Sequence, residues 1–382
     1  MAGSAMPTKR FGNYELSQCL GQGGMGEVYM AERIGEQGVR KRVALKRMRP
    51  EYAKNPVIVE RFFTEVRTGA RLEHPNIVQV FDFGSEPEPY LAMEYVEGVS
   101  LEALLIRLGQ RQITLEVPAA VYIAVQVARA VDYAHRLEDE AKTPLGIVHR
   151  DISPANVLLS VEGTVKLGDF GLAQVADNRL EVYGAIPVGR VVYMAPEQLS
   201  GGHVDARADI FAFGIVFWEM LTGQRLITSN DPQSIYHYHR DQSPPPPSSV
   251  HSSVWPELDH IVEACCRFDS HARPPSAQSV VLALKEAEQH HGATYGPEQL
   301  ARLVAWAFPE RGWDKPHPDE PPAQPSFQER MSLAMAAPKQ PTDQNKIIGL
   351  PPWAFWLVVV SGGVLFIAVV AFILGFISSA VL

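Results

Sequence analysis

Two short runs, His149-Arg150-Asp151-Ile152-Ser153-Pro154-Ala155-Asn156 and Asp169-Phe170-Gly171, restrict what this chain can fold into more than any other feature. Between them, Val157-Leu158-Leu159 and Val165-Lys166-Leu167 read as apolar strands around a Glu162-Gly163 turn. Asn156 and Asp169 stand equally far from that turn, one on each arm, so a hairpin brings them to its open end. An amide and a carboxylate placed together are hard oxygen ligands suited to Mg²⁺, which favours a few such ligands plus phosphate oxygens. Mn²⁺ accepts the same ligands. Asp151 stands just before them and can receive a proton. This region alone points to metal-assisted chemistry on phosphates.

Other segments limit the setting. The chain has 382 residues, 46% hydrophobic and 20% charged, which predicts more than one folding unit with ample apolar material for a core. A formal net charge of -9 argues against nucleic acid as the main partner. The cysteines Cys19, Cys265 and Cys266 form no metal-ligand pattern and read as cytosolic thiols. Cys19 reads as a packed strand residue. Met1 to Leu16 has no apolar run of signal-peptide length. From Trp353 to Ile377 there is no charge, Trp353 and Trp356 stand at the leading edge, and Lys339 and Lys346 precede it. That pattern predicts a single membrane-spanning helix at 353–377 with the preceding chain on the cytoplasmic side. Ser361-Gly362-Gly363 permits close contact with a second such helix, and so a homodimer. Residues 292–352 are Pro-rich and read as a juxtamembrane linker, with a short helix expected over Pro297 to Ala307.

Upstream, Tyr14 to Leu20, Val28 to Arg33 and Arg42 to Met48 read as strands, whereas Val117 to Leu137 and Ile210 to Leu221 read as buried helices. Gly21-Gln22-Gly23-Gly24-Met25-Gly26-Glu27-Val28 matches G-x-G-x-x-G-x-V, whose glycines let backbone amides approach phosphates. Here Glu27 to Met30 continues as a strand, which favours a hairpin flap over the helix-opening loop of a dinucleotide site. In Val43-Ala44-Leu45-Lys46, alternation puts a small residue and a cation on one face, suited to an adenine ring and its phosphates. Asn55-Pro56 is a helix start, with the helix reaching about Leu72. Ile58, Phe62 and Glu65 share one face of it, and a buried Glu65 carboxylate would need a cation such as Lys46.

Taken in order, these blocks make residues 11–291 resemble the bacterial eukaryotic-like (Hanks-type) serine/threonine protein kinases. Ala195-Pro196-Glu197, Asp209 with Gly214, and Arg273 complete the match. The resemblance implies an α+β, two-lobed protein kinase fold, with a small β-rich lobe over Tyr14 to Val96 and a larger helical lobe. It implies ATP as phosphoryl donor, Mg²⁺, and protein substrates. Leu20, Gly21, Gln22, Gly23, Gly24, Met25, Gly26 and Val28 would cover the nucleotide, with Ala44 beneath it. Lys46, held by Glu65, would contact the α/β-phosphates. Met93 would border the adenine pocket, with Glu94 and Val96 offering backbone hydrogen bonds to the base. Asp151 would be the catalytic base, and Asn156 and Asp169 would hold the metal. Glu197 and Arg273 would form a buried ion pair.

The chain departs from the family pattern in three places. Ser153 stands where the family has a lysine near the γ-phosphate, and Arg190 stands where a threonine is usual after Gly189. Arg190 is thus a candidate to replace the missing cation. From Leu172 to Ala195 only Tyr183 and Tyr193 carry hydroxyls, so a switch by serine or threonine phosphorylation is not expected there. The chain stops soon after the apolar segment, as in a tail-anchored kinase of the inner membrane with no sensor of its own. The alternative is a nucleotide-binding pseudokinase scaffold, which rests on Ser153.

Overall fold

Hairpins build the first lobe. The computed structural model describes residues 9–23, 26–35, 38–170 and 190–313, and the backbone alone for Arg61 and Glu65. β1 (Lys9–Phe11), β2 (Tyr14–Gln22), β3 (Gly26–Ile34), β4 (Arg40–Met48), β5 (Val80–Gly84) and β6 (Tyr90–Glu94) form one antiparallel sheet in the order β1-β2-β3-β4-β6-β5. Two helices, α1 (Pro50–Ala53) and α2 (Pro56–Gly69), lie between β4 and β5 in sequence. Strand alternation sorts β4 as expected. Val43 and Leu45 pack with Phe11, Tyr14, Leu16, Ala31 and Ala92, whereas Met48 packs with Leu91 and with Phe62 and Val66 of α2. Asn55 caps α2 by accepting from the N–H groups of Val57 (3.0 Å) and Ile58 (3.4 Å). The helix ends at Gly69, short of the expected Leu72, because tightened bonds such as Leu72 N–H to Gly69 C=O turn Leu72 into the core of the second lobe.

Cys19 corrects an expectation. It lies in β2, but register shifts on both sides of it turn the strand, and the thiol is exposed rather than packed. Cys265 and Cys266 are buried thiols, and burial pushes Cys265 up to about 12.

The second lobe starts with β7 (Gly98–Ser100), α3 (Leu101–Gln110) and α4 (Val117–His135), followed by the hairpin β8 (Val157–Ser160) and β9 (Val165–Leu167). β7, β8 and β9 make a small antiparallel sheet. Then come α5 (Pro196–Ser200), α6 (Arg207–Thr222), α7 (Pro232–Asp241), α8 (Pro247–Val250), α9 (Pro256–Cys265), α10 (Ala277–His290) and α11 (Pro297–Ala307). α6 is buried from Ala208 to Thr222, the signature of a helix apolar on all sides and enclosed by its neighbours. At Gly214 a Cβ would come within 2.7 Å of Cys265 Cβ and Cys266 Sγ, so glycine sets how closely α6 and α9 approach.

The packed chain runs past His291, where the linker was expected to begin. α11 forms, and Leu300, Leu303, Val304 and Ala307 join the core of the lobe. Arg111, just after α3, donates to the carbonyls of Trp306 and Ala307 at the end of α11 and lies over the Trp306 ring at 4.3 Å. Gly163 in the β8–β9 turn has φ +81, and a Cβ there would sit 1.7 Å from the Pro297 carbonyl. The rest of the expected linker and the apolar segment 353–377 lie outside the described residues. Among the described residues no helix is long and apolar enough to cross a membrane.

Candidate active site

The loop before β8 is fixed from below by one carboxylate. Asp209, in the first turn of α6, accepts from the backbone N–H of His149 (2.8 Å) and of Arg150 (2.7 Å). His135 of α4 binds the same carboxylate at 2.7 Å. Burial opposes the Asp209 charge, but the His135 hydrogen bond and charge, with the His149 N–H, hold it below the usual carboxylate range. Arg150 takes a left-handed backbone, φ 64, which turns the chain from these bonds toward Asp151. His149 is fully buried. Its Nδ1 accepts from the Asp151 N–H at 3.2 Å, so Nε2 is the atom that donates to the Gly168 carbonyl at 3.0 Å. Asp151 and the strand before Asp169 are thereby joined through one imidazole.

The hairpin forms with the expected strands, but its register is offset by one residue at the open end. The Gly168 N–H bonds the Asn156 carbonyl at 2.9 Å, so Gly168 rather than Asp169 lies opposite Asn156. Asn156 turns its amide nitrogen inward, donating to the Asp151 carbonyl (2.7 Å) and to Asp151 Oδ2 (2.9 Å). Asp169 has φ 56 and accepts from Lys46 Nζ at 2.9 Å. Burial opposes its charge, and the charge and hydrogen bond of Lys46 hold Asp169 below the ordinary carboxylate range. Lys46 therefore links the sheet of the first lobe to Asp169. The Glu65 side chain expected beside it lies outside the described residues.

Burial raises the Asp151 carboxyl, against the lowering influence of Arg190, His149 and Asn156. Arg190 reaches it from the turn before α5: Nη1 donates to Asp151 Oδ2, and Nη2 lies 3.3 Å from Asn156 Oδ1. Ser153 is 2% exposed, and its Oγ has no hydrogen-bond partner among the described residues. Arg190 thus lies beside Asp151, on a different segment from the loop that holds Ser153.

At the tip of the glycine loop, Gly21 pairs Val28, Gln22 pairs Glu27, and the Gly23 N–H bonds the Gly26 carbonyl at 2.8 Å. This is the expected flap, since the glycines join two strands rather than open a helix. Gly24 and Met25 lie outside the described residues. Leu20 is an exposed apolar side chain on β2. Val28 is in register with Lys46, and Ala44 with Met93. Met93 lines a cavity of about 30 Å³ between α2 (Val66, Gly69), Leu91 and Phe170. The Glu94 N–H is spent on the Gln79 carbonyl at 2.8 Å, so it is not free for a base. Val96 is half-buried two residues on. The Glu94 carboxylate also holds Lys166 of β9 at 2.8 Å, a tie between the lobes that sequence reading missed.

Two further ion networks brace the site. Arg273 binds Glu197 with both terminal nitrogens (2.6 and 2.9 Å), and its other donors reach the carbonyls of Arg267, Arg207 and Phe268. Its guanidinium is fully buried and fully hydrogen-bonded. Tyr193, one of two hydroxyls expected in the segment before α5, is buried and donates to Glu219 Oε2 at 2.8 Å, with Arg225 on its oxygen. The other, Tyr183, lies outside the described residues.

Residues 14–284 match the family model described as a protein kinase domain. The tyrosine-protein kinase MasK of Myxococcus xanthus is 34% identical over 301 residues, covering 78% of this chain and 47% of that protein. The serine/threonine-protein kinase PknB of Mycobacterium leprae is 35% identical over 255 residues, 65% of this chain and 39% of that one. A probable serine/threonine-protein kinase of Streptomyces coelicolor, SCO3848, is 35% identical over 318 residues, 80% of this chain and 44% of that one. The chain thus spans less than half the length of these relatives. Among solved structures, the PknI kinase domain of Mycobacterium tuberculosis superposes with a TM-score of 0.55 at 28% identity, covering 75% of this chain and all of that one.

Proposed function

Because the chain belongs to the protein kinase family, we propose that it transfers the γ-phosphate of ATP to serine or threonine hydroxyls of proteins. The observation that carries this reading is the constellation of Asp151, Asn156 and Asp169 under Lys46. Asp151 accepts the substrate hydroxyl proton as the O–H bond breaks. The substrate oxygen bonds to the γ-phosphorus, and the bond from that phosphorus to the β,γ-bridging oxygen breaks, releasing ADP. Burial raises Asp151, which favours a carboxylate able to take that proton. The donor set fits a divalent metal ion. Asn156 commits its nitrogen to Asp151, its Oδ1 accepts only the long 3.3 Å contact from Arg190, and Lys46 keeps Asp169 ionised. Asn156 and Asp169 would hold that ion, Mg²⁺ or Mn²⁺, which when bound offsets the charge of the phosphates. Arg190, which contacts Asp151 and Asn156, would supply the positive charge that Ser153 lacks.

The names of PknB and SCO3848 support serine/threonine specificity, while the name of MasK calls for an assay that reads all three hydroxyl amino acids. The test is transfer of labelled γ-phosphate by the full chain to itself and to a generic protein acceptor, with Mg²⁺ or Mn²⁺, followed by phosphoamino-acid analysis. Label on serine or threonine that disappears in Asp151→Asn supports the reading. Nucleotide binding by folded protein without transfer favours the pseudokinase scaffold, and phosphotyrosine as product overturns the specificity. Residues 353–377 would hold the chain in the inner membrane with the catalytic lobes cytoplasmic, a reading supported by their uncharged composition. Recovery of the full chain in the soluble fraction refutes that part. Cysteine cross-linking along Leu357 to Ile377 tests a homodimer through Ser361-Gly362-Gly363, and the absence of a helical pattern counts against it.

A further inference from the structure

Far from Asp151 in sequence, two helix ends bring three metal-binding side chains together. Glu257 lies in the first turn of α9, His290 ends α10, and His291 follows it. His290 Nδ1 is 2.7 Å from Glu257 Oε1, and His291 Nε2 is 3.1 Å from Oε2. The donor atoms all lie within 4.8 Å of one another, and no other such trio occurs among the described residues. We propose that Glu257, His290 and His291 bind a Zn²⁺-class divalent metal ion that fastens the start of α9 to the end of α10. This site goes beyond the phosphotransfer reading and does not depend on it.

The three side chains stand within reach of one ion. Zn²⁺ with nitrogen and oxygen ligands at about 2.0–2.1 Å holds donor atoms roughly 3.3 Å apart in a tetrahedron. The two nitrogens reach different oxygens of Glu257, at 2.7 and 3.1 Å, so both nitrogens and one carboxylate oxygen, all within 4.8 Å of one another, settle to that spacing when an ion enters. Two imidazoles on one tetrahedral ion place their ring centres about 5.2 Å apart by the same bond lengths, and those of His290 and His291 are 5.2 Å apart. The site is also partly preset. The His291 ring stacks on Trp255 at 4.3 Å with 5° between planes, which fixes its orientation. His290 is 71% exposed and Glu257 38%, so an ion can enter from solvent and complete its coordination with water. Two imidazoles and one carboxylate suit Zn²⁺ or Co²⁺ over Mg²⁺.

The test is a Zn²⁺ titration of the full chain, carrying no polyhistidine tag and held in mild detergent, by calorimetry. Co²⁺ absorption serves as the spectroscopic probe. The expected result is one saturable ion whose affinity falls at least about tenfold in His290→Asn and in Glu257→Gln. Co²⁺ should give a nitrogen/oxygen-type spectrum without a thiolate charge-transfer band, which excludes Cys19 as the ligand. The melting temperature should rise by roughly 5 °C at a hundredfold excess of Zn²⁺ over Kd, and this rise should vanish in both variants. Because these side chains are partly or mostly exposed, metal-free melting of the variants should match the parent and show that they fold. No saturable binding, or binding unchanged in both folded variants, overturns the proposal. So does binding that Cys19→Ser removes.

Discussion

Arg190→Thr removes the only guanidinium that touches both Asp151 and Asn156 among the described residues. A unit charge about 4 Å from a transferring phosphoryl charge contributes roughly 4 kcal/mol at an effective dielectric of about 20, equivalent to about three decades in rate. Because 28% of the Arg190 side chain is exposed, solvent screens part of this, and the expected loss in kcat is about a hundredfold. KM for ATP should change far less, since the interaction strengthens as charge develops on the γ-phosphoryl oxygens. A second signature comes from Asp151. Arg190 is the largest influence lowering that carboxyl against burial, so its removal raises the Asp151 pKa. A base works deprotonated, so the ascending acid limb of the kcat/KM profile should move to higher pH. Ser153→Lys placed on top of Arg190→Thr should restore at least about tenfold of the loss, because it returns a cation to the catalytic loop. Steady-state kinetics across pH on the full chain provides the assay. If Arg190→Thr stays within about threefold of the parent with an unmoved acid limb, Arg190 is not the missing cation.

Other perturbations give separate tests. Arg273→Met strands the Glu197 carboxylate and should cost about 3–5 kcal/mol, read as a lower denaturation midpoint. Adding Glu197→Leu should recover part of that loss. Gly163→Ala places a Cβ 1.7 Å from the Pro297 carbonyl at φ +81, and should expose the amides of α11 to hydrogen exchange while those of α6 stay protected. Tyr193→Phe leaves the buried Glu219 without its hydroxyl donor and should cost about 1–3 kcal/mol in stability. Phosphopeptide mapping of the active protein should find no phosphate on Tyr193.

What could be read in the sequence depended on how locally each feature is encoded. The β8–β9 hairpin is set by apolar strands and a turn glycine within a dozen residues, and the Asn55 cap by adjacent side chains, so both were legible. The faces of β4 followed from alternation alone. Asp209 was recognisable as part of a family block, but its bonds to the His149 and Arg150 amides form only when α6 packs under the loop. The same holds for Lys166 and Glu94, which come from different sheets. Cys19 was misjudged because bulges cancel strand alternation without leaving a pattern in composition. α11 carried a usable signal: Pro297 at a helix start and apolar residues at 300, 303, 304 and 307. Its docking was hidden by the Pro-rich composition around it.

α11 also decides where this protein can be cut. A catalytic fragment ended at His291 would contain every residue of the candidate site. It would nonetheless strip Leu300, Leu303, Val304 and Ala307 out of the core of the second lobe, and bare apolar surface of that kind drives self-association. Arg107 and Arg111 would lose the Phe308 and Trp306 rings they cover. The smallest fragment suited to crystallisation or inhibitor screening therefore runs through Trp313, and aggregation of a shorter one would report a misplaced boundary rather than an unstable enzyme.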